Sequence, residues 1–271
     1  MKNKRLLSGP YLFWAIAFII IPLVMIFYYG LTNNNGQFTF SNLARMTTPE
    51  NLKALGLALL ISLISTVICL LLAYPLAMIL SEKNVSQTGF MALIFILPMW
   101  MNFLLRTLAW QTLLEKNGVI NSLLNLLHLP ELAIINTPYA VALGMVYNFL
   151  PFMILPIYNV LSRIDKDVIN AARDLGANNL QTFLKIILPL SVPGIISGIT
   201  MVFVPSLTTF VISDLLGGSK ILLIGNVIEQ EFKQGSNWHV GSGLSIVLML
   251  FIIASMALIA KYDKDGEGSM F

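Results

Sequence analysis

The chain has 271 residues, of which 57% are hydrophobic and 11% charged, and its formal net charge is +3. A mean hydropathy of +0.81 excludes a soluble domain of ordinary surface. The small net charge and the scattered basic residues exclude a nucleic-acid-binding protein. The single cysteine, Cys69, lies in an apolar run without a disulfide partner and is predicted to be a small buried hydrophobe. These features indicate a membrane protein.

Six stretches without Asp, Glu, Lys or Arg are long enough to cross a membrane. Charged side chains are costly at the bilayer centre, and a spanning helix needs about 20 apolar residues. The six stretches are residues 6 to 44, 54 to 81, 84 to 105, 132 to 162, 186 to 213 and 234 to 260. The next longest, 117 to 130, has 14 residues and is predicted to form a short helix at the outer surface. We therefore predict an all-α polytopic membrane protein with six transmembrane helices.

The basic residues orient these six spans, because cytoplasmic loops hold the excess of Lys and Arg. With both termini inside, the cytoplasmic set has ten members: Lys2, Lys4, Arg5, Lys83, Arg163, Lys166, Arg173, Lys185, Lys261 and Lys264. The external set has six: Arg45, Lys53, Arg106, Lys116, Lys220 and Lys233. This arrangement predicts a multi-pass protein of the cell membrane with both termini in the cytoplasm. We divide it into residues 1–53 (first helix and outer loop), 54–260 (a core of five helices) and 261–271 (a short cytoplasmic tail).

A polar segment, residues 163–189, joins the fourth and fifth spans and lies on the predicted cytoplasmic side. Asp167 is expected to cap a short helix. Apolar residues at helical spacing follow on that helix: Val168, Ala172 and Leu175. Gly176 then allows the chain to turn. We call residues 163–189 the coupling segment.

A second short helix is predicted in the later half of the coupling segment. Asn178 with Gln181 resembles a capping box, and Pro189 is expected to end the helix. Two small helices at an angle, with their charges outward, form a surface on which another protein can dock. The alternative is an ordinary amphipathic connector that lies on the membrane.

The spacing within this segment resembles the cytoplasmic EAA loop of ABC importer permeases. That loop reads Glu-Ala-Ala, three residues, Gly, nine residues and Ile-x-Leu-Pro, and six residues fall on it: Ala171, Ala172, Gly176, Ile186, Leu188 and Pro189. Asn170 stands in place of the leading Glu. Asp167 and Asp174 are the candidates to replace its carboxylate, and Arg173 is a candidate to pair with an acidic partner. The resemblance implies that these residues bind an ATPase.

Four segments, one of which contains this motif, resemble the B-type permeases of spermidine/putrescine importers. They are AYPLAMIL from Ala73, LPMWMNFLLRTLAW from Leu97, INAARDLGANNLQTFLKIILPLSVPGIISG from Ile169 and VISDLLGGSKILLIGNVIEQEF from Val211. The resemblance implies a type I ABC importer permease (MetI-like) fold and a heterodimer with a sister permease. It also implies two cytoplasmic ATPase subunits and an extracellular polyamine-binding protein. The chain has no Gly-rich nucleotide motif, so ATP and Mg are expected to bind the partner ATPase and the chain itself to hold no cofactor.

A polyamine is a multiply charged cation, so its path needs carboxylates and aromatic faces. Asp214, which is predicted to end the fifth span, is the best-placed acid, and its alternative position is the outer headgroup region. Trp100 is a candidate cation–π contact or an interfacial anchor. The remaining candidates for the substrate path are Asn102, Tyr147, Asn148 and Thr208.

Other classes of protein are less well supported by the sequence. His128 and His239 have no second ligand at metal-binding spacing, and no nucleophile and base pattern occurs, so neither a metal site nor a catalytic site is predicted. An ion-coupled secondary transporter predicts acids or a broken helix at mid-span. An ABC permease for another cargo, such as an iron complex or thiamine, stays open at this point.

Overall fold

The computed structural model describes residues 9–82, 97, 99–218, 220–233 and 237–267, and these residues are almost entirely helical. The α-helices, numbered in chain order, are α1 (Gly9–Ala15), α2 (Ile21–Gly30), α3 (Ser41–Ala44), α4 (Pro49–Glu82), α5 (Phe103–Leu114), α6 (Val119–Leu126), α7 (Pro138–Leu161), α8 (Lys166–Asp174), α9 (Asn179–Thr182), α10 (Leu188–Thr208), α11 (Val211–Gly217), α12 (Ile224–Lys233) and α13 (Trp238–Glu267). Two π-helical turns, Ile16–Ile20 and Phe183–Ile187, connect α1 to α2 and α9 to α10. The short α6 lies within the stretch for which a helix was predicted.

Five helical stretches of the described residues are long and apolar enough to cross a membrane. They are Pro10–Gly30, Pro49–Ser81, Pro138–Leu161, Asn179–Thr208 and Trp238–Leu258. Each falls within or overlaps one of the charge-free stretches. The predicted third span, residues 84 to 105, lies largely outside the described residues, as do the basic residues Lys2, Lys4, Arg5 and Lys83 used for the orientation.

The fifth span ends earlier than its charge-free stretch. Helix α10 stops at Thr208, Thr209 is extended (φ −67°, ψ 140°), and α11 begins at Val211. Asp214 therefore lies within a separate short helix. The prediction that it ends the fifth span is wrong. The reason is that an absence of charge marks where a span is possible but carries no information on whether the backbone stays helical.

The chain divides into two compact units, and the first comprises the described residues of Met1–Leu55 together with Ile224–Ala254. Asn42 holds this unit together at the end of α2. Its Nδ2 donates hydrogen bonds to the carbonyls of Gly30 (3.1 Å) and Thr32 (2.9 Å). Gly243 in α13 lies against Asn42 so closely that an added Cβ would come within 2.7 Å of it.

The second unit comprises Gly56–Leu223 and Ser255–Phe271, of which the described residues include α5 to α11. Small, fully buried residues repeat every three or four positions along the part of α4 in this unit: Ala58, Ser62, Ser65, Cys69, Ala73 and Ala77. They let another helix approach closely, and the Cys69 thiol lies 3.7 Å from the Val146 carbonyl of α7. The prediction that Cys69 is a buried small side chain is confirmed.

Helix α10 packs against α7 through two glycines, as its GxxxG pattern indicates. A Cβ added at Gly194 would lie 3.0 Å from the Pro156 carbonyl, and one added at Gly198 would lie 2.6 Å from the Met153 sulfur. Both positions are buried. Close packing of α7 on α10 fixes the helices that precede and follow the coupling segment, since α7 ends at Leu161 and α10 begins at Leu188.

Candidate functional site

The N-cap of α8, the first helix of the coupling segment, lies two residues before the predicted cap. Asp165, not Asp167, is the N-cap, and its carboxylate accepts a hydrogen bond of 2.9 Å from the Asp167 N–H. The backbone is extended at Asp165 (φ −66°, ψ 126°), which turns its side chain back over the first turn. Asp167 instead lies inside the first turn, where its charge is favourable to the helix dipole.

The end of α8 depends on the backbone conformation of Gly176. Its φ is +87°, and its N–H donates to the Arg173 carbonyl at 2.9 Å. The Ala177 N–H donates to the Ala172 carbonyl at 3.0 Å, which completes a Schellman motif. Nothing lies within 4 Å of a Cβ added at Gly176, so the position needs glycine for its conformation and not for space.

Most of the predicted docking residues on α8 are exposed. Ala172 is 8% exposed and packs inward, whereas Val168 is 46% and Leu175 90% exposed. The exposed positions also include Asp167, Asn170, Ala171, Arg173, Asp174 and Gly176. The surface thus combines both signs of charge with two exposed apolar side chains, those of Val168 and Leu175.

The second helix of the coupling segment has the predicted capping box. Gln181 N–H donates to the Asn178 side chain (2.8 Å), and Asn178 N–H donates to the Gln181 side chain (2.9 Å). The prediction that Pro189 ends this helix is wrong. After the π-helical turn Phe183–Ile187 the helix continues as α10, with Pro189 in its first turn. Proline is tolerated there because the π-helical turn before it already interrupts the regular α-helical hydrogen-bond pattern.

The three motif residues of this part differ in exposure. Ile186 and Leu188 are half-buried, and Pro189 is exposed. Leu188 N–H donates to the Phe183 carbonyl across the π-helical turn. Single π-helical turns inside α-helices frequently occur at functional sites. The Ile-x-Leu-Pro end of the motif therefore lies inside one long helix, Asn179–Thr208. We call the irregular part of this helix, from Phe183 to Pro189, the joint.

A second group of candidate residues meets where α5 and α7 face each other. Tyr147 is in edge-to-face contact with Trp110, with ring centroids 5.1 Å apart. The Arg106 guanidinium carbon lies 5.7 Å from the centroid of the Tyr147 ring, and Arg106 is only 6% exposed. This stacking gives Arg106 an aromatic face as one of its neighbours.

Asn148 is the most deeply buried of the predicted substrate-path residues. It is 1% exposed, and its Nδ2 donates to the Gly144 carbonyl at 2.8 Å and to the Thr107 hydroxyl at 3.5 Å. Its Oδ1 is buried and has no hydrogen-bond donor among the described residues. Buried polar atoms normally have a partner, so this oxygen is an exception at the α5–α7 contact.

Helix α11 carries Asp214 to the same side of α7. A Cβ added at Gly144, one turn before Asn148, would collide with Leu216 and contact Ile212 of α11. The Leu216 carbonyl also accepts a hydrogen bond of 2.9 Å from the Asn136 N–H, just before α7. Asp214 is half-buried on this helix.

The other three substrate-path candidates have different surroundings. Asn102 is the N-cap of α5, and its Oδ1 accepts hydrogen bonds from Leu104 N–H (2.9 Å) and Leu105 N–H (3.2 Å). Thr208 is half-buried, and its hydroxyl donates to the Val204 carbonyl at 3.2 Å. Trp100 is 79% exposed. Asn102 thus has a local structural role, whereas the α5–α7 contact gathers Tyr147 and Asn148.

Sequence reasoning missed two residues of these sites. Thr107 was not singled out because a lone threonine in an apolar stretch is usually a helix residue that bonds its own turn, as its hydroxyl does with the Phe103 carbonyl. Asp165 was missed because two aspartates, Asp165 and Asp167, compete for the same cap. Asp165 is an aspartate directly before the first helical residue, Lys166, and that position is the signal for a cap. No local pattern indicates Thr107. Within the described ranges, no group of three His, Cys, Asp or Glu residues is placed to hold a metal ion.

Comparison with solved structures gives the fold. The chain aligns with a chain in the crystal structure of a bacterial alginate ABC transporter in complex with alginate pentasaccharide-bound periplasmic protein, with a TM-score of 0.75, 16% identity and coverage of 95% of this chain and 93% of that chain. A second crystal structure, of a bacterial ABC transporter involved in alginate import, aligns with a TM-score of 0.75 and 16% identity over 100% of this chain and 98% of that chain. The expected ABC importer permease fold is confirmed.

Curated relatives are much closer in sequence. The spermidine/putrescine transport system permease protein PotB of Haemophilus influenzae is 38% identical over 252 residues, covering 89% of this chain and 88% of that protein. PotB of Escherichia coli is 37% identical over 254 residues, covering 91% of this chain and 92% of that protein. A PotB homolog of Mycoplasma pneumoniae is 31% identical over 242 residues, covering 88% and 82%.

Residues 55–264 match the family described as "Binding-protein-dependent transport system inner membrane component". This match includes the coupling segment and every predicted substrate-path residue. The chain is therefore a multi-pass membrane protein, and it belongs to the family of inner membrane components of binding-protein-dependent transport systems.

Proposed function

We propose that this chain is a transmembrane permease subunit of an ATP-driven polyamine importer, with spermidine or putrescine as cargo. The observation that supports this most strongly is the sequence identity of 37–38% to PotB proteins of two bacteria, which extends over about nine-tenths of the chain. The alginate transporters share the fold at 16% identity, so the fold alone does not specify cargo. An iron complex, thiamine or an ion-coupled mechanism has no comparable support.

The coupling segment is the proposed docking site of a cytoplasmic ATPase. Both chain termini are proposed to lie on the same, cytoplasmic side of the membrane. Val168 and Leu175 project from α8 and supply apolar area, and burying a leucine side chain contributes about 1.5–3 kcal/mol. Arg173 and Asp174 beside them provide charges that fix the orientation of the partner. ATP and Mg are then held by two ATPase subunits, and this chain performs no catalysis.

The substrate path is proposed to run beside the α5–α7 contact and α11. The proposed contacts of an alkylammonium group are the Tyr147 ring, whose other neighbours are Trp110 and the Arg106 guanidinium, the Asn148 Oδ1 acceptor and the negative charge of Asp214. Trp100, Asn102 and Thr208 are proposed as further contacts on the way to it. A sister permease completes the path, and an external polyamine-binding protein delivers the cargo.

The test of the cargo is ATP turnover by the complete complex in lipid nanodiscs. Spermidine or putrescine, supplied with the binding protein, is expected to stimulate turnover several-fold over the complex without cargo. Thiamine and a ferric complex serve as comparison cargoes. If turnover responds to one of these and to neither polyamine, the proposed cargo is wrong.

Replacing Asp214 with Asn is expected to lower polyamine uptake about tenfold. Removing a charged partner from an ammonium group costs about 1.5–3 kcal/mol in partly buried surroundings, and each 1.4 kcal/mol is a factor of ten. The measurement is labelled-spermidine uptake into proteoliposomes at matched complex content. Glu131→Gln, which removes an exposed carboxylate from the same unit, is the control. Equal uptake by the Asp214→Asn variant and the control would exclude Asp214 from the path.

A further inference from the structure

We propose that Tyr74 is a latch that joins the second span to the coupling segment and transmits the movement of that segment. The inference rests on the proposed function, because it assumes that an ATPase moves the segment. Tyr74 lies in α4, and its hydroxyl is 2.8 Å from the Ser191 hydroxyl in α10. The two residues are 117 positions apart in the sequence.

The direction of this hydrogen bond follows from the second bond of Ser191. The Ser191 hydroxyl donates its one hydrogen to the Leu188 carbonyl at 2.8 Å. It can therefore only accept from Tyr74. The result is a continuous chain in which Tyr74 donates to Ser191 and Ser191 donates to Leu188, the leucine of the Ile-x-Leu-Pro motif. Ser191 is completely buried, so water does not compete for its oxygen.

The Tyr74 ring contacts the same joint from a second direction. It is in edge-to-face contact with the Phe183 ring, with centroids 5.8 Å apart and planes at 84°. Phe183 begins the π-helical turn, and Ser191 follows Pro189 in the next helix. One tyrosine thus contacts the first residue of the turn Phe183–Ile187 and a residue beyond its end.

The joint that Tyr74 spans is the part of the long helix with the weakest backbone. The π-helical turn leaves the regular α-helical hydrogen-bond pattern, and Pro189 and Pro193 have no N–H to donate. Such interruptions are where helices bend. A bend at this point moves α8 and α9 relative to the rest of α10, and both contacts of Tyr74 change with it.

The latch is weak enough to open. Hydrogen bonds between membrane helices are modest, and the loss of one changes the balance between two arrangements by about threefold. The small-residue stripe of α4 packs on α7 independently of it, as the contact of Cys69 with Val146 demonstrates. Loss of the Tyr74 hydroxyl is therefore expected to change coupling and to leave the fold intact.

The experiment compares Tyr74→Phe, Ser191→Ala and the double variant in the complete complex, reconstituted in proteoliposomes. The readout is spermidine transported per ATP hydrolysed, together with the thermal unfolding midpoint. Each single variant is expected to lower the transport ratio about threefold at an unchanged midpoint, and the double variant is expected to be no worse than either. Tyr158→Phe, in the last turn of α7, is the matched control and is expected to behave as the wild type.

The outcomes separate the latch from the function on which it rests. If the wild-type complex imports spermidine with ATP and Tyr74→Phe leaves the ratio unchanged, the latch is wrong and the function stands. If the effects of the two single variants add, the residues act independently and the latch is again wrong. If the wild-type complex hydrolyses ATP without importing polyamine, both proposals fail.

Discussion

The substitution Gly176→Val is expected to lower ATP-driven polyamine uptake about tenfold or more. Gly176 has a φ of +87° and ends α8 through the two hydrogen bonds of a Schellman motif. A β-branched residue in this region of backbone conformation costs about 1–3 kcal/mol. The strain is relieved by unwinding the end of α8, which displaces Leu175 from the docking surface. The measurement is spermidine uptake into proteoliposomes, with ATP hydrolysis recorded in parallel.

The matched control for Gly176→Val is Gly176→Asn. Asparagine accepts the left-handed conformation much more readily than valine, and nothing lies within 4 Å of a Cβ at this position to obstruct either side chain. The asparagine variant is expected to keep most of the uptake. Equal, severe losses in both variants would mean that the position requires the absence of a side chain for contact with the partner. Full activity in both would contradict a role for the α8 geometry in coupling.

Replacing Asn148 with leucine is expected to have opposite effects on stability and transport. The Oδ1 atom of Asn148 is buried without a donor, and such an atom costs about 1–3 kcal/mol. A leucine of similar size removes that cost, so the free energy of unfolding is expected to rise or stay level. The same change removes the acceptor proposed for the polyamine ammonium group, and uptake is expected to fall at least tenfold.

Asn121 provides the control for Asn148→Leu, because it is a buried asparagine whose hydrogen bonds are all within the chain. Its Nδ2 donates to the Glu115 and Leu132 carbonyls, each at 3.2 Å, and its Oδ1 accepts from the Leu132 N–H at 2.7 Å. Asn121→Leu is expected to lower the thermal midpoint and to leave the cargo response of the folded fraction unchanged. If Asn148→Leu behaves in the same way, Asn148 is a structural residue and not a ligand of the polyamine.

Features that depend on local chemistry were predictable from the sequence. The capping box of Asn178 and Gln181 and the turn at Gly176 need only neighbouring residues, and both predictions are confirmed. Five of the six charge-free stretches contain or overlap a helix that could cross the membrane, because the cost of burying a charge acts at every position. The buried Cys69 followed from its apolar surroundings.

Features that depend on distant residues or on backbone register were not predictable. The hydrogen bond between Tyr74 and Ser191 joins helices far apart in the chain, and no local pattern indicates it. The π-helical turn before Pro189 and the break after Thr208 change the register without changing the composition. Consequently the predicted helix end at Pro189 is absent, and Asp214 lies in α11 and not at the end of the fifth span.

The measurement that tests the central claim most directly is the labelling of a cysteine at position 171. Ala171 is exposed on α8, and the only native cysteine, Cys69, is completely buried, so Ala171→Cys adds one reactive thiol. The claim that a cytoplasmic ATPase drives this permease through the coupling segment predicts two results. A membrane-impermeant maleimide labels the variant only in inside-out vesicles, and a short bifunctional reagent cross-links it to the ATPase subunit. Labelling in intact cells, from the exterior, would contradict the account.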